Sequence, residues 1–155
     1  MLEVGDKAPA FTLESDSAGT VSSKDLKGQR YVLYFYPKDD TPGCTKEACN
    51  FRDRLPDFSA LGVKVFGVSA DSVAAHGKFT RKYGLTFPLL ADPEHQLLEA
   101  YGVWVEKSMY GKKYFGIQRS TFVVGANGKI EKRWPVVKKP EQHADEVLAA
   151  LQSGA

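Results

Sequence analysis

The hexapeptide YVLYFY, residues 31–36, is an unbroken run of β-favouring apolar residues that stops at Pro37, and KVFGVS, residues 64–69, is a second such run. Continuous apolarity of this kind marks strands buried on both faces. Between them Ala48, Phe51, Leu55, Phe58 and Leu61 recur every three or four residues over 45–61, and Gly62 stands where a helix would stop. That spacing predicts an amphipathic helix. A strand, a helix and a strand in this order form a parallel pair joined by a right-handed crossover. The unit places the chain among the α/β folds.

The remaining elements are arranged around it. Ser72 is a candidate N-cap for a helix reaching Tyr83, with Gly84 behind it. FPLLAD (87–92) reads as a short strand and HQLLEAYG (95–102) as a short helix. STFVVGANGKIEKRW reads as two β-rich runs turned at Asn127 and Gly128. A closing helix over 140–151 has Pro140 in its first turn and Val147, Leu148 and Leu151 on one face. Near the start, FTLESDSAGTVSS suggests a small hairpin around residues 17–19. The order β, β, β, α, β, α, β, α, β, β, α predicts one α/β domain over 1–155. Its mixed central sheet is flanked by helices, parallel in the middle and antiparallel at one side. With 43% hydrophobic residues, 155 residues can bury a core without covalent staples.

Several function classes are disfavoured. Lys and Arg number 21 against 19 Asp and Glu, and the basic residues are scattered apart from short pairs such as Lys112–Lys113, which is no nucleic-acid footprint. No apolar run approaches the roughly 20 residues that cross a bilayer, and the first residues form no apolar leader, so the expectation is a soluble cytoplasmic protein. His76, His95 and His143 lack zinc-ligand spacing and read as surface histidines; no metal is expected. Asp39 and Asp40 read as a solvated turn, and Trp104, Tyr110 and Phe115 as core or rim packing.

Both cysteines, Cys44 and Cys49, lie in PKDDTPGCTKEAC just past the first strand. Carboxyl ends of parallel strands are where open α/β sheets place ligand crevices. Thr41, a candidate cap, leads with Pro42 and Gly43 into the helix, so Cys44 falls in its first turn, where free N–H groups and the helix dipole favour a thiolate. The helix end contributes about 0.3 to 1 kcal/mol, whereas shifting a cysteine by two pH units takes about 2.7 kcal/mol. A fixed cation is therefore needed, and Arg119, immediately before the strand STFVV, is a candidate. On an intact helix Cα atoms five residues apart are about 8.6 Å apart, beyond the roughly 7 Å a disulfide tolerates. If the two thiols ever join, the first turns of the helix must unwind; the alternative for Cys49 is a core thiol. Pro56 removes a backbone bond from the same helix, unless it opens a separate one.

On these residues the chain resembles a peroxiredoxin of the bacterioferritin comigratory protein, or peroxiredoxin Q, group. The signature P-x-x-x-T-x-x-C is present as Pro37, Thr41 and Cys44, with a second cysteine at C-x-x-x-x-C spacing. The likeness runs from VGDKAPAFTL through YFYPKDDTPGCTKEACNFRD to YGVWVEKSMYGKKYFGIQRSTFVV. It implies a thioredoxin-like fold with an N-terminal β-hairpin extension. It also implies a peroxidatic Cys44, a resolving Cys49, a peroxide-orienting Thr41 and an Arg119 that binds thiolate and peroxide. Pro37 would shield the pocket, Gly43 would offer its backbone N–H, and Glu47 would hold the arginine. The implied activity is reduction of hydrogen peroxide and organic hydroperoxides by a monomer. It would pass through a Cys44–Cys49 disulfide recycled by thioredoxin, without a cofactor. Two other readings remain open: a thiol-disulfide oxidoreductase, although C-x-x-C is absent, and a non-enzymatic redox switch.

Overall fold

Alternation along one strand decides the layering. In the computed structural model, which describes residues 1–153, the strand Arg30–Phe35 directs Val32 and Tyr34 into one core and Tyr31, Leu33 and Phe35 into the other. The chain runs β1 (Thr12–Glu14), β2 (Thr20–Ser22), β3 (Arg30–Phe35), α1 (Pro42–Ala60), β4 (Val63–Ser69), α2 (Val73–Tyr83) and β5 (Leu89–Ala91). It continues through α3 (Gln96–Ala100), β6 (Trp104–Met109), β7 (Lys112–Ile117), β8 (Ser120–Val124), β9 (Ile130–Trp134) and α4 (His143–Gln152). The central sheet has the order β5-β4-β3-β8-β9. It is parallel across β5, β4 and β3 and antiparallel across β3, β8 and β9. The mixed sheet is thus as the sequence predicts, and β1–β2 forms the N-terminal hairpin.

One core is closed by α1, α4 and Phe79 of α2; the other lies under the N-terminal segment and α3. In the first, the Phe51 ring of α1 stacks on Tyr34 of β3 with centroids 4.5 Å apart. Burying such a ring contributes about 1.5 to 3 kcal/mol, which ties α1 to the sheet.

Helix α1 begins three residues earlier than its apolar period suggests, because Pro42 presets the dihedral of the first turn. It is one helix through Pro56, with Phe51 and Phe58 buried on either side of the missing bond. Tertiary packing therefore outweighs the lost hydrogen bond. The closing helix starts with a 3-10 turn at Pro140–Gln142 before α4 proper.

Three expectations are corrected. The hairpin β6–β7 is absent from the predicted order. Its two-residue turn, Tyr110 and Gly111 with φ of 50 and 77, has the positive dihedrals of a type I′ turn without the usual Asn-Gly or Asp-Gly. Tyr110 is not packed but 99% exposed, because this ribbon is not part of the central sheet, whereas Phe115 stacks at the rim on the half-buried Trp104 with centroids 6.4 Å apart. Finally, His76 and His143 are buried rather than on the surface, and His95 stacks on Trp104 at 3.8 Å.

Candidate active site

The antiparallel register of β3 and β8 sets Ser120 opposite Phe35. Arg119, one residue earlier, is thereby carried to the carboxyl end of β3, where α1 begins. Its carbonyl accepts from the Val137 N–H at 3.0 Å, which fixes the backbone from which the side chain projects. The guanidinium lies over the first turn of α1: Nη2 donates to Cys44 Sγ at 3.2 Å and Nη1 to Glu47 Oε1 at 2.7 Å. Cys44 and Glu47, three residues apart on a helix, share one face. Both are fully enclosed, Cys44 at 1% and Glu47 at 0% exposure.

Gly43 makes room for this fork. A Cβ there would stand 3.2 Å from Arg119 Nη2 and 3.7 Å from Pro140 Cγ. Thr41 is the N-cap residue by its backbone, its carbonyl accepting from Thr45 N–H at 2.8 Å. Its side chain does not cap the helix; the hydroxyl donates to the Lys38 carbonyl at 2.9 Å. The amides of the first turn consequently stay open as donors. Pro37 is exposed at the start of the loop.

Electrostatics divide along burial. Burial pushes the Glu47 carboxyl up to about 7 against the opposing pull of Arg119, and its Oε2 has no hydrogen-bond partner. Burial works against the charge on Arg119, but Glu47 and Cys44 outweigh it and hold the guanidinium above its ordinary value. It is a permanent cation beside the sulfur.

Cys49 is half-buried, and both it and the buried Cys44 are free thiols on an unbroken α1. Helix geometry keeps their Cα atoms about 8.6 Å apart, so a bond between them needs the first turns to open.

Three groups near the site carry no sequence signal. Lys107 on β6 has its ammonium held below its ordinary value by burial and then by Arg119, and so faces the same cation. His143, with Nε2 2.8 Å from Thr121 Oγ1, is pushed down to about 4 by burial and then by Arg119, which makes it a neutral wall. Asp39, Asp71 and His76 bring their donor atoms within 4.8 Å of one another, the only such group with metal-ligand potential among the described residues. All three side chains are already engaged in hydrogen bonds. Asp39 is thus not a solvated turn residue: its side chain is 7% exposed, because the buried His76 holds it.

The model of the AhpC/TSA family matches residues 4–133. The chain belongs to the AhpC/TSA family. It is 53% identical over 150 residues to a putative peroxiredoxin Bcp of Coxiella burnetii, covering 97% of this chain and 99% of that one. To peroxiredoxin Bcp of Bacillus subtilis it is 49% identical over 151 residues, covering 97% and 96%. The solved bacterioferritin comigratory protein of Xanthomonas campestris, studied for alkyl peroxide reduction, superposes with a TM-score of 0.90 at 41% identity, covering 97% and 98%. This peroxiredoxin is accordingly a thiol-dependent peroxidase on a thioredoxin-like fold.

Proposed function

We propose that this peroxiredoxin reduces hydrogen peroxide and organic hydroperoxides at Cys44, with Cys49 as the resolving thiol. The observation that carries the reading is the 3.2 Å contact from Arg119 Nη2 to the buried Cys44 Sγ at the open N-terminus of α1. Full ionisation of a thiol gains only about 30-fold at pH 7, and a more acidic thiol is also a weaker nucleophile. Most of the acceleration must come from donors aimed at the breaking O–O bond. Arg119 and the amides of Gly43 and Cys44 are the donors of this site; the Thr41 hydroxyl, its proton given to the Lys38 carbonyl, offers its oxygen as an acceptor that orients the peroxide, Glu47 orients the guanidinium, and Pro37 stands at the start of the loop.

The Cys44 thiolate attacks one peroxide oxygen, the O–O bond breaks, and the other oxygen leaves with the electron pair and takes a proton as water or alcohol. Cys44 becomes a sulfenic acid. Cys49 then attacks that sulfur and expels water, leaving a disulfide once the first turns of α1 have opened. An external dithiol, thioredoxin, exchanges with the disulfide and returns both thiols. A resolving thiol within the same helix makes a monomer self-sufficient, and recycling by thioredoxin suits the reducing cytoplasm.

The test is the intact mass of the reduced protein and of Cys49→Ser, each treated with one equivalent of hydrogen peroxide and a sulfenic-acid trap. Loss of two hydrogens in the wild type and a trapped adduct at Cys44 in the variant are expected. A wild type that stays reduced while peroxide persists would overturn the assignment.

A further inference from the structure

Residues 37–41 connect β3 to α1 and carry Asp40 at φ 57, in the left-handed region that aspartate enters more readily than most residues with a Cβ. Helix α2 holds this segment at two points. Near its C-terminal end, Lys82 Nζ and the Tyr83 hydroxyl each donate to the Asp40 carboxylate at 2.8 Å. In its first turns stands His76, wholly buried. His76 Nε2 lies 2.9 Å from the Leu90 carbonyl oxygen, which can only accept, so this nitrogen carries a proton. Nδ1 lies 2.7 Å from Asp39 Oδ2, and an ionised carboxylate also only accepts, so the ring carries both protons.

Asp39 is bound in full. Its Oδ1 accepts from the Tyr36 hydroxyl at 2.5 Å, and its backbone N–H donates to Asp71 Oδ2 at 2.8 Å, an oxygen that also accepts from Ser69 Oγ at 2.7 Å. The titratable groups facing the imidazole are thus Asp39 from the loop, Asp71 after β4 and Tyr36 after β3. Burial, then Tyr34 and Asp39, hold the Tyr36 phenol far above its ordinary value, so it remains a donor. Burial alone would lower the His76 value, but the bond to Asp39 and its charge outweigh this and raise it.

We propose that His76 is a positioning residue: its buried ion pair with Asp39 fastens residues 37–41 to α2 and thereby sets how readily the first turns of α1 open for the Cys44–Cys49 disulfide. This rests on the assignment of Cys44 and Cys49 given above. Fastened, the loop presents Thr41 and Cys44 to peroxide; released, it lets Cys49 reach the oxidised sulfur. The His76 value is raised in the fold, so the fastening is complete below about pH 6.5 and is lost as pH climbs through the folded value.

The experiment follows sulfenic acid and disulfide by rapid quench and mass spectrometry after hydrogen peroxide addition, in the wild type, His76→Gln and Asp39→Asn. Amide hydrogen exchange of residues 37–46 is measured in the reduced proteins. Asp39→Asn keeps the test valid should the buried substitution fail to fold. Loss of one charge-assisted bond is expected to speed conversion of sulfenic acid to disulfide about tenfold and to accelerate exchange in the segment. The reaction of Cys44 with peroxide slows a few-fold. The lead of His76→Gln over the wild type shrinks toward unity as pH rises, because the wild type then loses the same proton. Disulfide formation at one rate in all three proteins, or a lead independent of pH, overturns the positioning role and leaves the cysteine assignment standing. A wild type that forms no disulfide overturns that assignment, and the control of opening with it.

Discussion

Two buried charged pairs flank the carboxyl end of β3 and differ in what they leave open. Arg119–Glu47 keeps capacity in reserve: Glu47 Oε2 has no partner, and Arg119 Nη2 reaches Cys44 Sγ. His76–Asp39 is closed, with both ring nitrogens and both carboxylate oxygens bonded within the chain. A buried polar atom without a partner is costly and leaves bonding capacity free, whereas a saturated network holds its neighbours in place. Under the proposed function the first pair serves the chemistry at Cys44 and the second the scaffold of the loop.

The largest effect is expected from opening the first pair. Arg119→Met should slow the reaction of Cys44 with hydrogen peroxide by about 10² to 10³, the usual consequence of removing a donor aimed at developing negative charge. It should leave the fold intact by circular dichroism. A variant that reacts within threefold of wild type would assign Arg119 to the scaffold and erase the contrast.

The second test uses pH. Glu47, pushed up to about 7 from an ordinary 4.5, adds stability that is full below pH 4.5 and lost as pH rises through 7. His143, pushed down to about 4 from an ordinary 6.5, adds stability that is full above pH 6.5 and lost as pH falls through 4. Each is on the order of 3 kcal/mol, with opposite signs across nearly the same window. In urea unfolding between pH 4.5 and 6.5 the two offset each other in the wild type. Glu47→Gln should become more sensitive to acid than wild type, and His143→Gln less. Identical pH profiles for all three proteins would show that neither burial shift operates.

A finer probe is Gly43→Ala. Its Cβ, 3.2 Å from Arg119 Nη2, should move the guanidinium by a few tenths of an ångström and slow peroxide reaction several-fold, with stability within about 1 kcal/mol of wild type. Equal rates would mean that the position of the fork is not critical. The smallest change is expected from Lys82→Ala. It removes an exposed pair with Asp40 but leaves the Tyr83 hydroxyl bond, and should alter stability by less than about 1 kcal/mol in a thermal melt.

Much of the fold was legible because β3, α1 and β4 are long and strongly patterned, and periodicity is a local property of the chain. The hairpin β6–β7 escaped because its turn is Tyr110–Gly111 and its exposed ribbon lacks a buried run. In the site, Thr41, Gly43 and Cys44 stand in one helix start and can be read together, and Glu47 is one turn on. Arg119 was reachable only as a residue before a strand, since its 75-residue separation from Cys44 is bridged by the β3–β8 register. His76 and His143 were misread as surface groups because nothing in their neighbourhoods shows partners 37 and 22 residues away.

By itself, then, the sequence determined the strongly patterned strands and helices, β3, α1 and β4 above all, and that a thiol would stand at the first turn of α1. Apolar period, Pro42 and Gly62 act on their own few residues. Only the tertiary structure decided what surrounds that thiol. Burial and the choice of cation arise where β8 meets α1, and the bonds to Asp39 and Asp40 where α2 meets the loop before α1, and the energy of a buried charge depends on groups distant in the chain that folding brings within hydrogen-bond reach.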